Sequence, residues 1–251
     1  MNLLRRFFDF LMKGRNEKVS DSARQYVVEH KKEIIEKFAG KIQPVSKGET
    51  PLAIFMAGSP GAGKTEFSKS FIKGLPKLRG KILRIDADEV REILPPSLYN
   101  GKNSHLVQKA ASKGVDKLVD HSIDKSKNFI LDGTFTSYAN AHQNIERVIK
   151  RGWHVEIWYI YQDPKIAWDF TKKREALEGR RILKSDFIEA FFLAKENVNK
   201  IKKEFGASLK VNLAIKNKDN IGLEEFFLNI TEIDHHLKTG YNSNLLQKIL
   251  K

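Results

Sequence analysis

Cysteine is absent from all 251 residues. Its absence excludes a disulfide framework, a thiolate metal site and a thiol nucleophile. It also fits a reducing cytoplasm, where the protein is expected to reside. No run approaches the ~20 apolar residues of a membrane-spanning helix. The nearest imitation is the stretch from Met1 to Met12, where a basic pair stands beside apolar residues. There Arg5 and Arg6 lie inside the apolar run, Asp9 interrupts it, and no small-residue cleavage site follows. It therefore reads as an amphipathic helix rather than a signal peptide, expected to dock on the domain, with a partner or a membrane surface as alternatives. Internal repeats and low-complexity tracts are lacking. Six of the seven histidines (His105, His121, His142, His154, His235 and His236) are scattered without metal-ligand spacing and read as surface or structural.

Acidic residues are the minority among the charges, 31 against 45 Lys and Arg, for a net charge of +14. Such a surface raises on-rates for anionic ligands: nucleotides, phosphosugars, nucleic acids or an acidic protein. The basic residues are spread along the chain rather than blocked, so charge alone does not point to nucleic acid. With 41% apolar and 30% charged residues, the chain can bury the core of one large α/β domain with extensions.

Residues 20–38 read as a helix, with Val27, Ile34, Ile35 and Phe38 near helical spacing and Ser20 or Asp21 as its cap. Residues 40–51 are rich in turn formers and read as a linker, so residues 1–50 form a helical extension and 51–251 a second domain. From there short apolar runs (52–57, 81–85, 129–131, 155–161 and 209–215) alternate with amphipathic stretches (64–72, 105–124, 139–151, 164–177 and 185–204). Strands alternating with helices make βαβ units, hence a three-layer α/β fold with a mostly parallel central sheet. Near-continuous apolar strands suit burial on both faces. Residues 223–251 read as helical.

Gly58-Ser59-Pro60-Gly61-Ala62-Gly63-Lys64-Thr65 matches the P-loop pattern at every fixed position, with an apolar strand before it and an amphipathic helix after it. The glycines let the backbone curl so that its N–H groups converge on phosphate oxygens, and the helix points its positive end at the same anion. Lys64 can reach the β- and γ-phosphates of ATP or GTP, and Thr65 can place its hydroxyl on Mg²⁺. The motif identifies a donor site without separating a kinase from a motor, a switch or a GTPase.

Past the second strand stand Asp86 and Asp88, at the strand end where ligands of a parallel sheet bind. Asp88 could accept the proton of an attacking hydroxyl, or could cap the helix starting near Glu89. Asp86 suits support of the site or the metal better than the role of base. Asp132, ending the third strand, could join the Mg²⁺ shell through water, hold an acceptor hydroxyl, or cap the next helix. Arg174, Arg180 and Arg181 follow a helix end. Their guanidinium forks match the equatorial oxygens of a transferring phosphoryl group, and a loop carrying them could close as a lid.

In combination these residues resemble the zeta-toxin family of P-loop kinases, over about 51–199. The resemblance rests on Gly58–Thr65, on Ile85-Asp-Ala-Asp-Glu-Val-Arg91 with Leu98-Tyr99, on Leu131-Asp-Gly-Thr134, and on Arg174 with Gly179-Arg180. It implies Asp88 as catalytic base, Lys64 as the P-loop lysine, and Arg174 and Arg180 on the transferring phosphate. Asp132 and Thr134 then match a substrate-binding stretch, with Arg91 joining them on the acceptor. It further implies a small-molecule acceptor, typically the 3′-hydroxyl of a UDP-linked amino sugar, and a small antitoxin partner. Departures are Asp132 where the family often has glutamate, Leu94-Pro95-Pro96 where a His-Pro step is common, and the N-terminal fifty residues. A regulatory NTPase, or a kinase of nucleic-acid ends using the basic surface, stays open as another class.

Overall fold

The computed structural model describes residues 2–219 and 222–251, and of residues 2–12 the backbone alone. In chain order the elements are α1 (Asn2–Glu29), α2 (Lys31–Ala39), β1 (Leu52–Ala57), α3 (Lys64–Gly74), β2 (Ile82–Asp86), α4 (Ala87–Arg91), α5 (Ser104–Asp124) and β3 (Asn128–Asp132). After them come α6 (Tyr138–Ile149), β4 (His154–Tyr161), α7 (Pro164–Glu178), α8 (Lys184–Phe205), β5 (Lys210–Lys216), β6 (Leu223–Phe227) and α9 (Ser243–Ile249). They fall into two compact units, one of residues 1–41 with 85–121 and one of residues 42–84 with 122–251.

The first unit is helical. α1 is continuous through Ser20 and Asp21, so neither residue caps a helix. A cap side chain helps only where the preceding backbone leaves the helix, and here upstream carbonyls already accept those amides. The break comes instead at His30, whose ring stacks on Tyr26 at 3.9 Å and whose Nδ1 lies 3.0 Å from the Tyr26 carbonyl. The helix expected over residues 1–12 is present in the backbone, while the face its side chains present lies outside the described residues. Gly114 of α5 lets α4 and α1 close on it, because a Cβ there would stand 2.5 Å from Val90 Cγ1 and 3.7 Å from Val27 Cγ1.

The second unit holds the sheet, in the order β2-β3-β1-β4-β5-β6. β1 pairs parallel with β3 and β4, and β4 with β5; β6 is antiparallel to β5. β1 and β5 are buried along almost their whole length, as their continuous apolar runs require, while the edge strand β6 is largely exposed. Ile54, Met56, Ile130 and Ile160 meet Phe67 and Phe71 of α3 on one side. On the other, Phe55 and Phe129 pack edge to face at 5.8 Å. A mostly parallel α/β fold is thus what the strand and helix pattern led us to expect.

The C-terminal stretch differs. The segment Leu-Glu-Glu-Phe-Phe has fair helix propensity, yet it pairs with β5 as an edge strand, Leu213 opposite Phe227 and Ala214 opposite Phe226. β5 offers a row of backbone donors and acceptors, and filling that row outweighs local preference. Only α9 of this region is α-helical. It is fastened by Tyr241 Oη, which donates to Asp163 Oδ2 at 2.5 Å, and by Trp168 Nε1, which donates to the Lys251 carbonyl at 2.6 Å. No helix among the described residues is long and apolar enough to cross a membrane.

Candidate active site

β1 delivers the chain into the loop 58–63, where Gly58, Gly61 and Gly63 all have positive φ (138°, 73° and 82°). Two of them are also pinned from outside. A Cβ at Gly58 would stand 2.3 Å from the Ile160 carbonyl oxygen, and one at Gly61 2.1 Å from the Ala167 carbonyl oxygen. No side chain fits either place without moving backbone, so the loop is locked against the end of β4 and against α7. α3 then opens at Lys64 after left-handed Gly63, without a capping side chain. Its first-turn N–H groups and its dipole therefore favour an anion. Lys64 Nζ donates to the carbonyls of Gly58 (2.9 Å) and Ser59 (2.7 Å), which holds the ammonium over the loop. The curled backbone fits a nucleoside triphosphate, and Thr65 stands in the first turn where Mg²⁺ is held in such loops. No cluster of three or more His, Asp or Glu that could hold a metal occurs among the described residues.

A Cβ at Gly61 would touch the Thr171 side chain at 3.1 Å as well as Ala167. Residues 167, 171 and 174 are spaced i, i+4 and i+7, so Arg174 shares a face of α7 with the two residues that meet Gly61. α7 ends at left-handed Gly179, and residues 179–183 form a loop. Glu178 Oε2 accepts from Arg180 Nε (2.8 Å) and Nη2 (2.5 Å), and Arg174 Nη2 is 3.5 Å away. The two arginines are therefore brought together, at a helix end and on a loop as expected; Arg181 turns to Glu175 at 3.7 Å.

The turn after β3 adjoins the P-loop as well, since Gly58 N donates to the Thr134 carbonyl at 3.3 Å. Thr134 Oγ1 lies 3.0 Å from Thr136 Oγ1, and Phe135 holds φ at 66°, a costly value for a bulky residue. Asn197 of α8 clamps that turn by donating from Nδ2 to the carbonyls of Phe135 (3.0 Å) and Thr136 (2.9 Å). Asp132 is not the cap of α6, a place taken by Ser137. Its Oδ2 accepts from Arg84 Nη2 and Ser68 Oγ, each at 2.9 Å, and the pair is almost wholly buried.

In the helical unit, Asp86 rather than Asp88 caps α4, because Asp86 Oδ1 accepts from Asp88 N at 2.8 Å. The capping alternative for Asp88 falls with that. Its Oδ1 accepts instead from Arg91 Nη1, and Arg91 Nη2 donates to Gln108 Oε1 at 2.6 Å.

Sequence reasoning did not single out Ser68, Arg84, Gln108 or Asn197, whose parts depend on partners 16 to 64 residues away (Arg84 with Ser68, Ser68 with Asp132). Lys216, at the carboxyl end of β5, was also passed over. Burial pushes its ammonium below the ordinary lysine value, and Glu66 and Asp219 act against that.

The family model described as Zeta toxin matches residues 35–223. The chain belongs to the zeta toxin family. A solved structure from the PezAT chromosomal toxin–antitoxin system of the human pathogen Streptococcus pneumoniae is 18% identical, with a TM-score of 0.59 over 92% of this chain and 88% of that one. The AvrRxo1-ORF1:-ORF2 complex with ATP is also 18% identical, with a TM-score of 0.56 over 85% of this chain and 64% of that chain. At such identities the likeness speaks for the fold. No curated protein matches the chain. The family, together with the P-loop, supports a phosphotransferase that takes a nucleotide.

Proposed function

We propose that this zeta toxin family member transfers the γ-phosphoryl of ATP or GTP to a hydroxyl of a small acceptor, a UDP-linked amino sugar being the first candidate. The observation that supports the reading is the P-loop itself, with left-handed Gly58, Gly61 and Gly63, Lys64 folded over it and Gly61 seated against Ala167 and Thr171 of α7. In the reaction Asp88 takes the proton of the acceptor hydroxyl. The oxygen–phosphorus bond forms as the bond to the nucleoside diphosphate breaks, and Lys64, Arg174 and Arg180 stabilise the charge on the group in flight. Thr65 and Asp86 would hold Mg²⁺, which supplies charge neutralisation at the β- and γ-oxygens. Thr134 belongs to the acceptor side, while the Asp132 carboxylate, taken up by Arg84 and Ser68, serves the scaffold.

The test is transfer of radiolabelled γ-phosphate by purified protein with Mg²⁺ to a panel of UDP-amino sugars, other nucleotides, sugars, aminoglycosides and short oligonucleotides. Label on a UDP-amino sugar is expected. Label on oligonucleotide ends would replace that acceptor, and release of free phosphate with no labelled acceptor would replace the kinase by an NTPase. Family membership and the likeness to a toxin–antitoxin component also support a small antitoxin as partner. Expression of the chain alone should then arrest growth of a bacterial host, and growth unaffected by the active protein would remove the toxin reading.

A further inference from the structure

We infer that Asn197 of α8 is a positioning residue for phosphoryl transfer: by clamping the turn after β3, it fixes where Thr134 meets the acceptor. The inference rests on the reading of Thr134 as an acceptor-side residue.

The turn lies at the carboxyl end of β3, beside β1, which is where a parallel sheet binds its ligands. Its own backbone ties it to the donor loop, because the Thr134 carbonyl accepts from Gly58 N at 3.3 Å. One residue on, Phe135 sits in the left-handed region at φ 66°. A residue with a Cβ disfavours that conformation, so the turn keeps this shape only where its surroundings impose it. Thr136 then sets its hydroxyl 3.0 Å from that of Thr134, so the direction of the Thr134 hydroxyl depends on the same backbone.

Asn197 supplies the constraint. It is buried on a face of α8 that is otherwise apolar around it, with Ala194, Val198 and Ile201 at helical spacing. A side-chain amide has two N–H donors, and here they go to the carbonyls of Phe135 (3.0 Å) and Thr136 (2.9 Å). Both peptide planes that follow Phe135 are thereby fixed to a helix anchored in the core. The donor loop has anchors of its own. Gly58 and Gly61 sit against the Ile160 and Ala167 carbonyls, and Lys64 Nζ holds the carbonyls of Gly58 and Ser59. Loss of the clamp should therefore reach the acceptor and spare the nucleotide.

The test counts labelled sugar and free phosphate in one reaction of purified protein, γ-labelled ATP, Mg²⁺ and UDP-N-acetylglucosamine. Their ratio does not depend on how much of the protein is folded, so a loss of stability alone leaves it unchanged. Asn197→Leu, close in volume but without donors, should lower kcat/KM for the sugar by about ten- to a hundredfold, and the ratio with it, while KM for ATP stays within about threefold. Asn197→Ser, whose hydroxyl reaches less far and leaves room for water, should act in the same direction. Addition of Phe135→Gly to Asn197→Leu should restore most of the ratio, since glycine takes the left-handed conformation without a clamp. An unchanged ratio in both single variants would overturn the inference. So would a ratio that the added glycine leaves where Asn197→Leu put it, or a rise in KM for ATP as large as the loss on the sugar. If the unmodified chain labels no sugar, the acceptor reading fails and this inference with it; a chain that labels the sugar at a ratio indifferent to Asn197 sinks the inference alone.

Discussion

Asp88→Asn is expected to leave nucleotide affinity within about threefold of the unmodified chain and to lower phosphoryl transfer by about 10²–10⁴-fold, the range removed with a general base. The split follows from which atoms do what. Nucleotide binding is assigned to the P-loop backbone and the first turn of α3, and those donors are held by Gly58, Gly61 and Gly63 with Lys64 folded over them. The cap of α4 also survives the change, because Asp86 bonds the main-chain N–H of residue 88 and not its side chain. What is lost is one negative charge. An amide oxygen still accepts from Arg91 but cannot take a proton, and the weaker pairing of a buried guanidinium costs about 1–3 kcal/mol of stability. Single-turnover transfer of radiolabel, calorimetric titration with nucleotide and a urea unfolding curve separate these effects. Transfer within tenfold of the original would place the base elsewhere. A parallel loss of nucleotide binding would make Asp88 part of the scaffold.

The division between what could be read from the chain and what could not follows the range of the forces involved. The P-loop was legible because three glycines, a lysine and a threonine at fixed spacing, between an apolar strand and a helix, are local requirements of one backbone shape. The first five strands were legible because burial in the sheet leaves short, nearly continuous apolar runs. β6 was not, since a peptide of Leu, Glu and Phe becomes a strand only when a neighbouring edge is available. Asp86 and Asp88 were both visible as acidic residues at a strand end, but which one capped the helix depended on where α4 starts, and a start two residues earlier than expected gave the cap to Asp86. The arginines at 174 and 180 could be placed on a helix end and a loop from sequence. That the first of them shares a face of α7 with the residues against the P-loop needed the contact of Gly61 with Ala167 and Thr171, more than a hundred residues away in the chain. Asn197 carried no signal at all, because the strain it relieves at Phe135 exists only in the folded turn.

Asp132 is where sequence and structure pull in different directions, and its replacement decides between them. The family pattern puts the residue on the acceptor, whereas the fold gives it a scaffold task. Its Oδ2 receives Arg84 Nη2 and Ser68 Oγ, and Arg84 Nε donates to the same serine oxygen at 2.9 Å. The side chains of Arg84 and Asp132 are 8% and 3% exposed, so water screens little of the pair. The triangle ties β2, β3 and α3 together one turn below Thr65, whose carbonyl lies 3.0 Å from Ser68 Oγ. Asp132→Ala removes one charge of a buried pair and leaves the other in place, which costs about 3–5 kcal/mol. The urea midpoint should fall accordingly with an unchanged slope. Asp132→Asn, which keeps one acceptor oxygen, should lose less. Replacement of both members by apolar residues of similar volume should recover much of the loss, because the cost lies in the buried cation left behind rather than in the missing attraction. Shift of α3 would also carry Lys64 and Thr65 with it, so weaker nucleotide binding is expected alongside the lower midpoint. If Asp132→Ala instead unfolds at the original urea concentration and raises only the KM for the acceptor, the carboxylate serves the substrate and the scaffold holds without it.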